Sequence, residues 1–227
     1  ASTRKPTVTH DYSEHGVPAL NGTALRSQSN VIVSTDSGSH SIDVLLYTPA
    51  RATDASPVVL MVNFSPNIVM VDDTGIKETD GWDSGKRIPG REARVIAKQD
   101  IAPYLARGYG VALVHYAQIE PDFDGGSSLG LRRIYGPVDE TRRKPDEAGA
   151  VATWAEGLSI VREQIIERQQ ETRDLAIQAL TAPPVAAPQP VAGAATMGAE
   201  QPALAQNDPR KDGLALATIA QLILAAL

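Results

Sequence analysis

Two short apolar runs decide the fold class: Pro57-Val-Val-Leu-Met-Val-Asn63 and Gly110-Val-Ala-Leu-Val-His-Tyr116. Each run is continuously apolar and too short for a typical helix, which is the pattern of a strand covered on both faces of a parallel sheet. Between the two runs, Asp100 can cap a short helix that has Pro103 in its first turn and ends at Gly108. The order strand, helix, strand predicts a right-handed parallel crossover unit.

The residues before this unit predict an antiparallel hairpin. Segments Asn30–Thr35 and Ser41–Thr48 are rich in Val, Ile and Leu, and the connection Asp36-Ser-Gly-Ser-His40 offers a Gly for a turn position with positive φ. Residues 1–29 are polar and rich in turn formers, so we expect mostly loop. The long polar stretch from Phe64 through Arg94 predicts an ordered surface excursion rather than a core element.

A long helix is predicted from Asp146 to about Leu180. Its apolar residues recur three and four positions apart on one face: Val151, Trp154, Leu158, Val161 and Ile165, with Leu175 and Ala179 continuing the face. Pro183 and Pro184 must end this helix, and the Pro- and Ala-rich composition of residues 181–213 predicts a flexible linker. Residues 214–227 are apolar and predict a short helix. The expected organisation is therefore a lead-in loop at 1–29, a domain at 30–180, a linker at 181–213 and a C-terminal helix at 214–227.

Length and composition exclude several classes of protein. The 227 residues fit one domain with an appendage, and 42% hydrophobic residues argue against global disorder. No apolar run reaches the roughly 18–20 residues that cross a bilayer, so we expect a soluble protein without a membrane span. A formal charge of −6 argues against a nucleic-acid partner. The absence of Cys excludes disulfides, thiolate catalysis and thiolate zinc sites. The chain begins at Ala1 without a signal-like apolar core, which is typical of a processed product.

Three stretches, in this order, resemble the N-terminal half of the glucuronoyl esterases, carbohydrate esterases that cleave esters of 4-O-methyl-glucuronic acid in xylan. The stretches are Val58–Phe64 with Asn67, Arg107–Tyr116 running into Ile119–Asp124, and Asp146–Ser159. The resemblance covers about residues 30–165. It implies an α/β fold, namely the N-terminal strands and helices of an α/β-hydrolase with a mainly parallel sheet. It also implies a serine esterase without a cofactor, a glucuronoxylan-type ester as partner, and an extracellular or periplasmic location.

In that family the long helix leads into a strand that carries the nucleophile elbow, a strained turn that exposes the catalytic serine. Here the helix runs into Ala182-Pro-Pro-Val-Ala-Ala-Pro188, and no elbow motif follows in the sequence. The family's nucleophile, acid and histidine therefore have no counterpart that can be assigned. The positions that do match belong to scaffold and cleft rim by resemblance: Asn63, Phe64, Asn67, Asp122, Asp124 and Trp154. We expect an incomplete, inactive α/β-hydrolase domain or, alternatively, a non-catalytic scaffold or interaction protein derived from it.

Three residues are weak catalytic candidates. Ser65 follows the strand at 57–63, where α/β hydrolases place oxyanion-hole backbone, and an ordinary loop serine is the alternative. His115 ends a buried strand, where ligands approach a parallel sheet, and a structural histidine is the alternative. Ser159 lies in Gly157-Leu-Ser-Ile-Val161, which half resembles an elbow but is helical and lacks the second Gly.

Binding candidates are also weak. Asn67, Asp122 and Asp124 are candidates for substrate binding. A hard cation could bind to two acidic sets, the carboxylates at 122 and 124 and the acidic residues at 72–83, but neither set has EF-hand spacing. The histidines match no metal template. No metal site is therefore predicted. The basic residues around Arg132 and at 142–144 could meet an anionic sugar, with an ion-paired loop as the alternative. Without an elbow strand beside it, the strand at 58–62 should be an apolar edge open to self-association.

Overall fold

The computed structural model describes residues 5–52, 55–136 and 149–181, with side chains of the last helix described through residue 171 and at Asp174. The main element is a five-stranded sheet, whose strands are β1 (Thr7–Ala19), β2 (Ala24–Thr35), β3 (Gly38–Pro49), β4 (Val58–Asn63) and β7 (Gly110–His115). They lie in the order β1-β2-β3-β7-β4. A small hairpin consists of β5 (Asp80–Asp83) and β6 (Lys86–Pro89), and the helices are α1 (Ala102–Ala106), α2 (Tyr116–Ile119) and α3 (Ala150–Thr181).

The predicted hairpin is confirmed and is longer than expected. Strands β2 and β3 pair antiparallel from Ala24 opposite Pro49 to Thr35 opposite Gly38. The turn is thus only Asp36 and Ser37, because Gly38 and His40 already belong to β3. The linker and C-terminal helix predicted after residue 181 lie outside the described residues, as does the predicted helix start at 146–148.

The expectation of mostly loop at residues 1–29 is wrong. Strand β1 pairs antiparallel with β2, with register shifts between Tyr12 and Glu14 and between Glu14 and Val17. Nearly all of its side chains are exposed or half-buried, because β1 pairs on one side only. Such a strand has no need of the apolar alternation by which a sequence normally reveals a strand.

The predicted parallel unit is present. Strand β4 runs parallel to β7, from Val58 opposite Gly110 to Asn63 opposite His115, and α1 lies between them in the chain. The other described pairings of the sheet are antiparallel, so the predicted mainly parallel sheet is seen in this pair alone. Strand β7 is buried throughout, as expected. Strand β4 is only half-buried, contrary to expectation, because it is the last strand of the described sheet.

Two hydrophobic clusters pack on opposite faces of the sheet, since alternate residues of β3 and β7 enter different clusters. Val161 and Ile165 of α3 close one cluster, whereas Val151, predicted on the same face, is 71% exposed. The other cluster includes Ile68 and Met70, so the stretch 64–94 contributes to the core rather than only to the surface.

Candidate functional site

Two strand ends bring the candidate residues together. Asn63 ends β4 and lies opposite His115, which ends β7, and both side chains are buried. Because the carboxyl ends of neighbouring parallel strands share one edge of a sheet, the loops after β4 and β7 meet at this point. Ser65 and Asn67 belong to the first loop, and Tyr116 begins α2 directly after β7.

Buried amides fix the loop after β4. The Asn63 Nδ2 group donates to the Ser65 carbonyl oxygen and, at 3.2 Å, to Asn67 Oδ1. Asn67 Nδ2 in turn donates to the Leu113 carbonyl oxygen at 3.3 Å, which ties the loop to β7. Asn67, a candidate for substrate binding, is therefore buried and bonded on both sides of its amide.

Two buried polar atoms at the strand ends have no hydrogen-bond partner among the described residues: Asn63 Oδ1 and His115 Nδ1. Burial lowers the pKa of His115 to about 4. The imidazole is therefore neutral at pH 7 and a weak base, whereas an effective general base has a pKa near the working pH.

The candidate serines are not placed for nucleophilic attack. Ser65 is buried, and its hydroxyl donates to the Arg94 carbonyl oxygen at 2.9 Å and accepts from the Ile96 N–H at 3.3 Å. Ser159 is half-buried within α3, not on a turn between a strand and a helix. In the described part of the chain, no hydrogen bond joins His115 to either serine.

An aromatic group lies at the same strand ends. Phe64, Tyr116 and Trp154 are mutual neighbours, with ring centroids 5.2 Å apart for Phe64 and Tyr116, 5.2 Å for Tyr116 and Trp154, and 6.2 Å for Phe64 and Trp154. His115 meets Tyr116 edge to face at 5.1 Å. Phe64 is 55% exposed, so this aromatic group offers an apolar surface to solvent. Burial, with the charge of Asp122 as a second cause, raises the pKa of Tyr116.

An ion pair between a buried carboxylate and a half-buried arginine supports this aromatic group and was missed by sequence reasoning. Glu120 is fully buried, and Arg132 donates from Nε to both of its carboxylate oxygens at 2.8 and 2.9 Å. The carbonyl oxygen of Glu120 accepts from Trp154 Nε1 at 2.8 Å. A side chain at Gly130 would place its Cβ 2.5 Å from Glu120 Cγ, so the loop must have a glycine there. In the sequence, Arg132 stands out only as part of a basic group, and the residues at 142–144 of that group lie outside the described residues.

The remaining binding candidates, Asp122 and Asp124, are exposed on the loop after α2. The charge of Asp122 acts on Tyr116 of the aromatic group. Within residues 5–52, 55–136 and 149–181, no three His, Asp or Glu side chains are grouped so that they could hold a metal ion. No helix of the same residues is long and apolar enough to cross a membrane.

Comparison with known proteins identifies relatives of the chain. No protein-family model matches it. It is 31% identical over 153 residues to carbohydrate esterase MZ0003 of an unknown prokaryotic organism, covering 63% of this chain and 35% of that protein. Glucuronoyl esterase from Solibacter usitatus matches with a TM-score of 0.61 and 30% identity, over 74% of this chain and 44% of the esterase. A promiscuous CE15 esterase from a marine bacterial metagenome matches with a TM-score of 0.55 and 26% identity, over 74% and 43%.

The chain thus spans less than half the length of the relatives that it matches. The match nevertheless covers most of the described residues, and it joins sequence identity of about 30% to a shared fold. The resemblance to the glucuronoyl esterases is therefore confirmed: the chain is similar in sequence and fold to part of these proteins.

Proposed function

We propose that the residues of this chain supply the scaffold and cleft rim of a serine carboxylic-ester hydrolase that acts on glucuronoyl esters of xylan. We also propose that the chain alone does not hydrolyse such esters. The observation that carries this proposal is the match to glucuronoyl esterases over 74% of the chain but only 44% of the esterase. A polymeric xylan substrate would place the protein outside the cytoplasm.

The candidate residues support the lack of activity. A serine nucleophile needs a base within hydrogen-bond reach of its hydroxyl, at about 2.6–3.2 Å. The Ser65 hydroxyl instead donates to a backbone carbonyl, and its burial keeps substrate away. Ser159 lies on a helix, and His115 has a pKa too low for efficient proton abstraction at pH 7. None of these three residues can serve as a triad member without a rearrangement.

The exposed aromatic group supports a rim role. Aromatic rings present flat apolar faces, and the apolar faces of sugar rings can pack against them. Phe64 is the most exposed member, and Tyr116 and Trp154 hold it in place at the strand ends, where ligands of α/β sheets bind. Asp122 and Asp124 remain candidates for contacts with sugar hydroxyls, because both are exposed on the loop after α2 and the charge of Asp122 acts on Tyr116 of this group.

The proposal is tested by one experiment with two arms on the purified chain. With benzyl glucuronate as the substrate, we expect the unmodified chain to hydrolyse the ester no faster than the Ser65→Ala and Ser159→Ala variants do. In native gels containing glucuronoxylan, we expect retarded migration, and Phe64→Ala should lose the retardation. Tyr104→Ala is the matched control, since Tyr104 is an exposed aromatic residue on α1.

Each arm can contradict the proposal. Turnover that a serine reagent inhibits, and that either serine variant abolishes, would show that a nucleophile exists in this chain. Migration unaffected by glucuronoxylan would favour the second candidate, a non-catalytic interaction protein. The specific observation in favour of that candidate is the outer edge of β4, with which no strand of the described residues pairs.

A further inference from the structure

The described asparagines differ in how firmly the fold holds them. Asn63 and Asn67 are buried, and hydrogen bonds tie their amide groups to the loop after β4 and to β7. Asn30 lies within β2, which pairs with β1 on one side and with β3 on the other. Asn21 is exposed and lies in the connection from β1 to β2. Of these residues, Asn21 is therefore the one that can move without disturbing the sheet or the core.

Asn21 and Gly22 form the centre of a tight turn. Asn21 has φ 57° and ψ 33°, and Gly22 has φ 78°, values close to those of a type I′ turn. The Thr23 N–H closes the turn by donating to the Leu20 carbonyl oxygen at 3.2 Å. Asn and Gly are the residues that adopt this left-handed backbone most readily. The geometry of the turn therefore accounts for the dipeptide Asn-Gly at this place in the sequence.

The bond between Asn21 and Gly22 is open to solvent. Asn21, Gly22 and Thr23 are all exposed, and a Cβ built on Gly22 would meet no atom within 4 Å. Among the residues that the structure describes, no hydrogen bond holds the side-chain amide of Asn21. Solvent therefore reaches the peptide group and the side-chain amide together.

We propose that Asn21 is a site of spontaneous covalent modification, at which its side chain and the Gly22 nitrogen close a five-membered succinimide ring. The Gly22 nitrogen loses its proton to solvent and forms a bond to Asn21 Cγ. The bond from Cγ to Nδ2 breaks, and Nδ2 takes up a proton from solvent and leaves as ammonia. A water molecule then opens the ring. Opening at Cγ leaves an aspartate at position 21, and opening at the backbone carbonyl carbon leaves an isoaspartate.

Ring closure requires a local change of the backbone. The Gly22 nitrogen must face Asn21 Cγ, so the ψ angle of Asn21 must rotate away from 33°. The rotation opens the turn that Thr23 closes, and the residues at 21–23 that it moves are exposed. The same rotation at Asn30 would break the pairing of β2 with two strands. Exposed turns open more readily than paired strands, so the fold favours the reaction at Asn21.

The residue after each asparagine adds to this difference. The attacking nitrogen belongs to that residue, and a side chain there crowds the approach of the nitrogen to Cγ. Asn21 is followed by Gly22, which has no side chain. The asparagines at 30, 63 and 67 are followed by Val31, Phe64 and Ile68. The local sequence and the fold therefore both favour Asn21, and this inference is independent of the proposed function.

The modification is tested on the unmodified chain, incubated in water enriched in heavy oxygen. Peptide mapping by mass spectrometry should find conversion at Asn21 at least about ten times faster than at Asn30, Asn63 or Asn67. Each converted peptide should carry one oxygen atom from the water, as aspartate or isoaspartate. The rate should rise with pH, because the attacking nitrogen must lose its proton. In isoelectric focusing, the formal charge of −6 should become one unit more negative.

Two variants test the role of the Gly22 nitrogen. Gly22→Asp should slow the conversion at Asn21 by about ten-fold or more, because the new side chain crowds the nitrogen while Asp tolerates the left-handed backbone. Thr23→Ser is the matched control and should leave the rate unchanged, since serine keeps the hydroxyl that donates to the Leu20 carbonyl oxygen at 2.7 Å. Circular dichroism checks that both variants are folded. The comparison among the asparagines of the unmodified chain holds whether or not Gly22→Asp folds.

Three outcomes would overturn the proposal. The first is conversion at Asn21 no faster than at the asparagines at 30, 63 and 67. The second is aspartate without isoaspartate, which would show direct hydrolysis of the side-chain amide by water. The third is an unchanged rate in a folded Gly22→Asp variant, which would exclude crowding at this nitrogen as the control of the reaction.

Discussion

At the scale of single residues, buried charges connect the loops to the sheet. Glu120 is fully buried against Arg132, and Arg26, also buried, pairs with Glu14 at 2.8 Å and with Asp73 at 2.7 Å. Hydrogen bonding to these carboxylates raises the pKa of Arg26 above its usual range. A buried charge is tolerated only with its partner, because the partner compensates for the lost hydration. Removing one partner is therefore the costly change.

We expect Arg132→Leu to lower the free energy of unfolding by roughly 3 kcal/mol, because the Glu120 carboxylate would stay buried without its guanidinium. Arg91→Leu is the matched control, since Arg91 pairs with Glu78 at 2.7 Å but both side chains are exposed. Its loss should cost less than about 1 kcal/mol. Urea unfolding of both variants gives the comparison, and equal midpoints would contradict the assigned role of burial.

At the scale of elements, the sequence predicted the strands and the long helix whose side chains enter the core, but not the core residues Ile68 and Met70 of the stretch 64–94. Strand β7 is buried throughout, β2 and β3 contribute alternate core residues, and α3 buries Val161 and Ile165, so all four carry a clear apolar pattern. Strand β1 carries none, because its side chains stay largely in solvent and its pairing is a backbone property. The ion pair of buried Glu120 with half-buried Arg132 was equally hidden, because charged residues twelve positions apart carry no periodic signal.

The site was predictable only in outline. The strand ends at Asn63 and His115 follow from the two apolar runs, and the structure places them side by side. Which groups meet there depends on tertiary contacts: the Ser65 hydroxyl donates to the Arg94 carbonyl oxygen, and Trp154 of α3 donates to the Glu120 carbonyl oxygen. Neither contact follows from local spacing, because each joins residues far apart in the chain.

The close approach of α2 and α3 gives a prediction at this scale. A Cβ at Gly157 of α3 would lie 2.5 Å from Ile119 Cγ2 of α2. On an open helix Gly→Ala would stabilise by about 1 kcal/mol, but here the clash should dominate, and Gly157→Ala should destabilise by about 1–3 kcal/mol. Ser159→Ala on the same helix is the control, with a change within about 0.5 kcal/mol. A rise in the thermal midpoint of Gly157→Ala would show that the helices can separate without cost.

At the scale of the whole molecule, the four histidines change stability with pH in the same direction. Burial lowers the pKa of His10 and of His115 to about 4, and it also lowers the pKa of His15 and of His40. In the unfolded chain the histidine side chains bind a proton near pH 6.5, whereas in the folded chain they bind it only at lower pH. Protonation therefore favours the unfolded chain.

We expect stability to be full above about pH 6.5 and to fall as the pH drops toward 4. For His115 alone, a shift from 6.5 to about 4 corresponds to roughly 3 kcal/mol. Asp43 acts in the opposite direction, because burial raises its pKa. Urea unfolding between pH 7.5 and 4.5 measures the loss, and His115→Asn should flatten the profile. A midpoint that does not change over this range would refute the prediction.

The meander of β1, β2 and β3 has a consequence for the order in which the chain acquires structure. Its pairings join neighbouring segments through tight connections at Leu20–Gly22 and at Asp36 and Ser37. By contrast, the pairing of Leu45 of β3 with Leu113 of β7 joins residues that are separated in the chain by all residues from β4 to α1. Short loops close at a smaller entropic cost than long ones, so pairings of low contact order form first. During synthesis, the antiparallel meander should therefore fold as the template on which β7, and then β4, assemble.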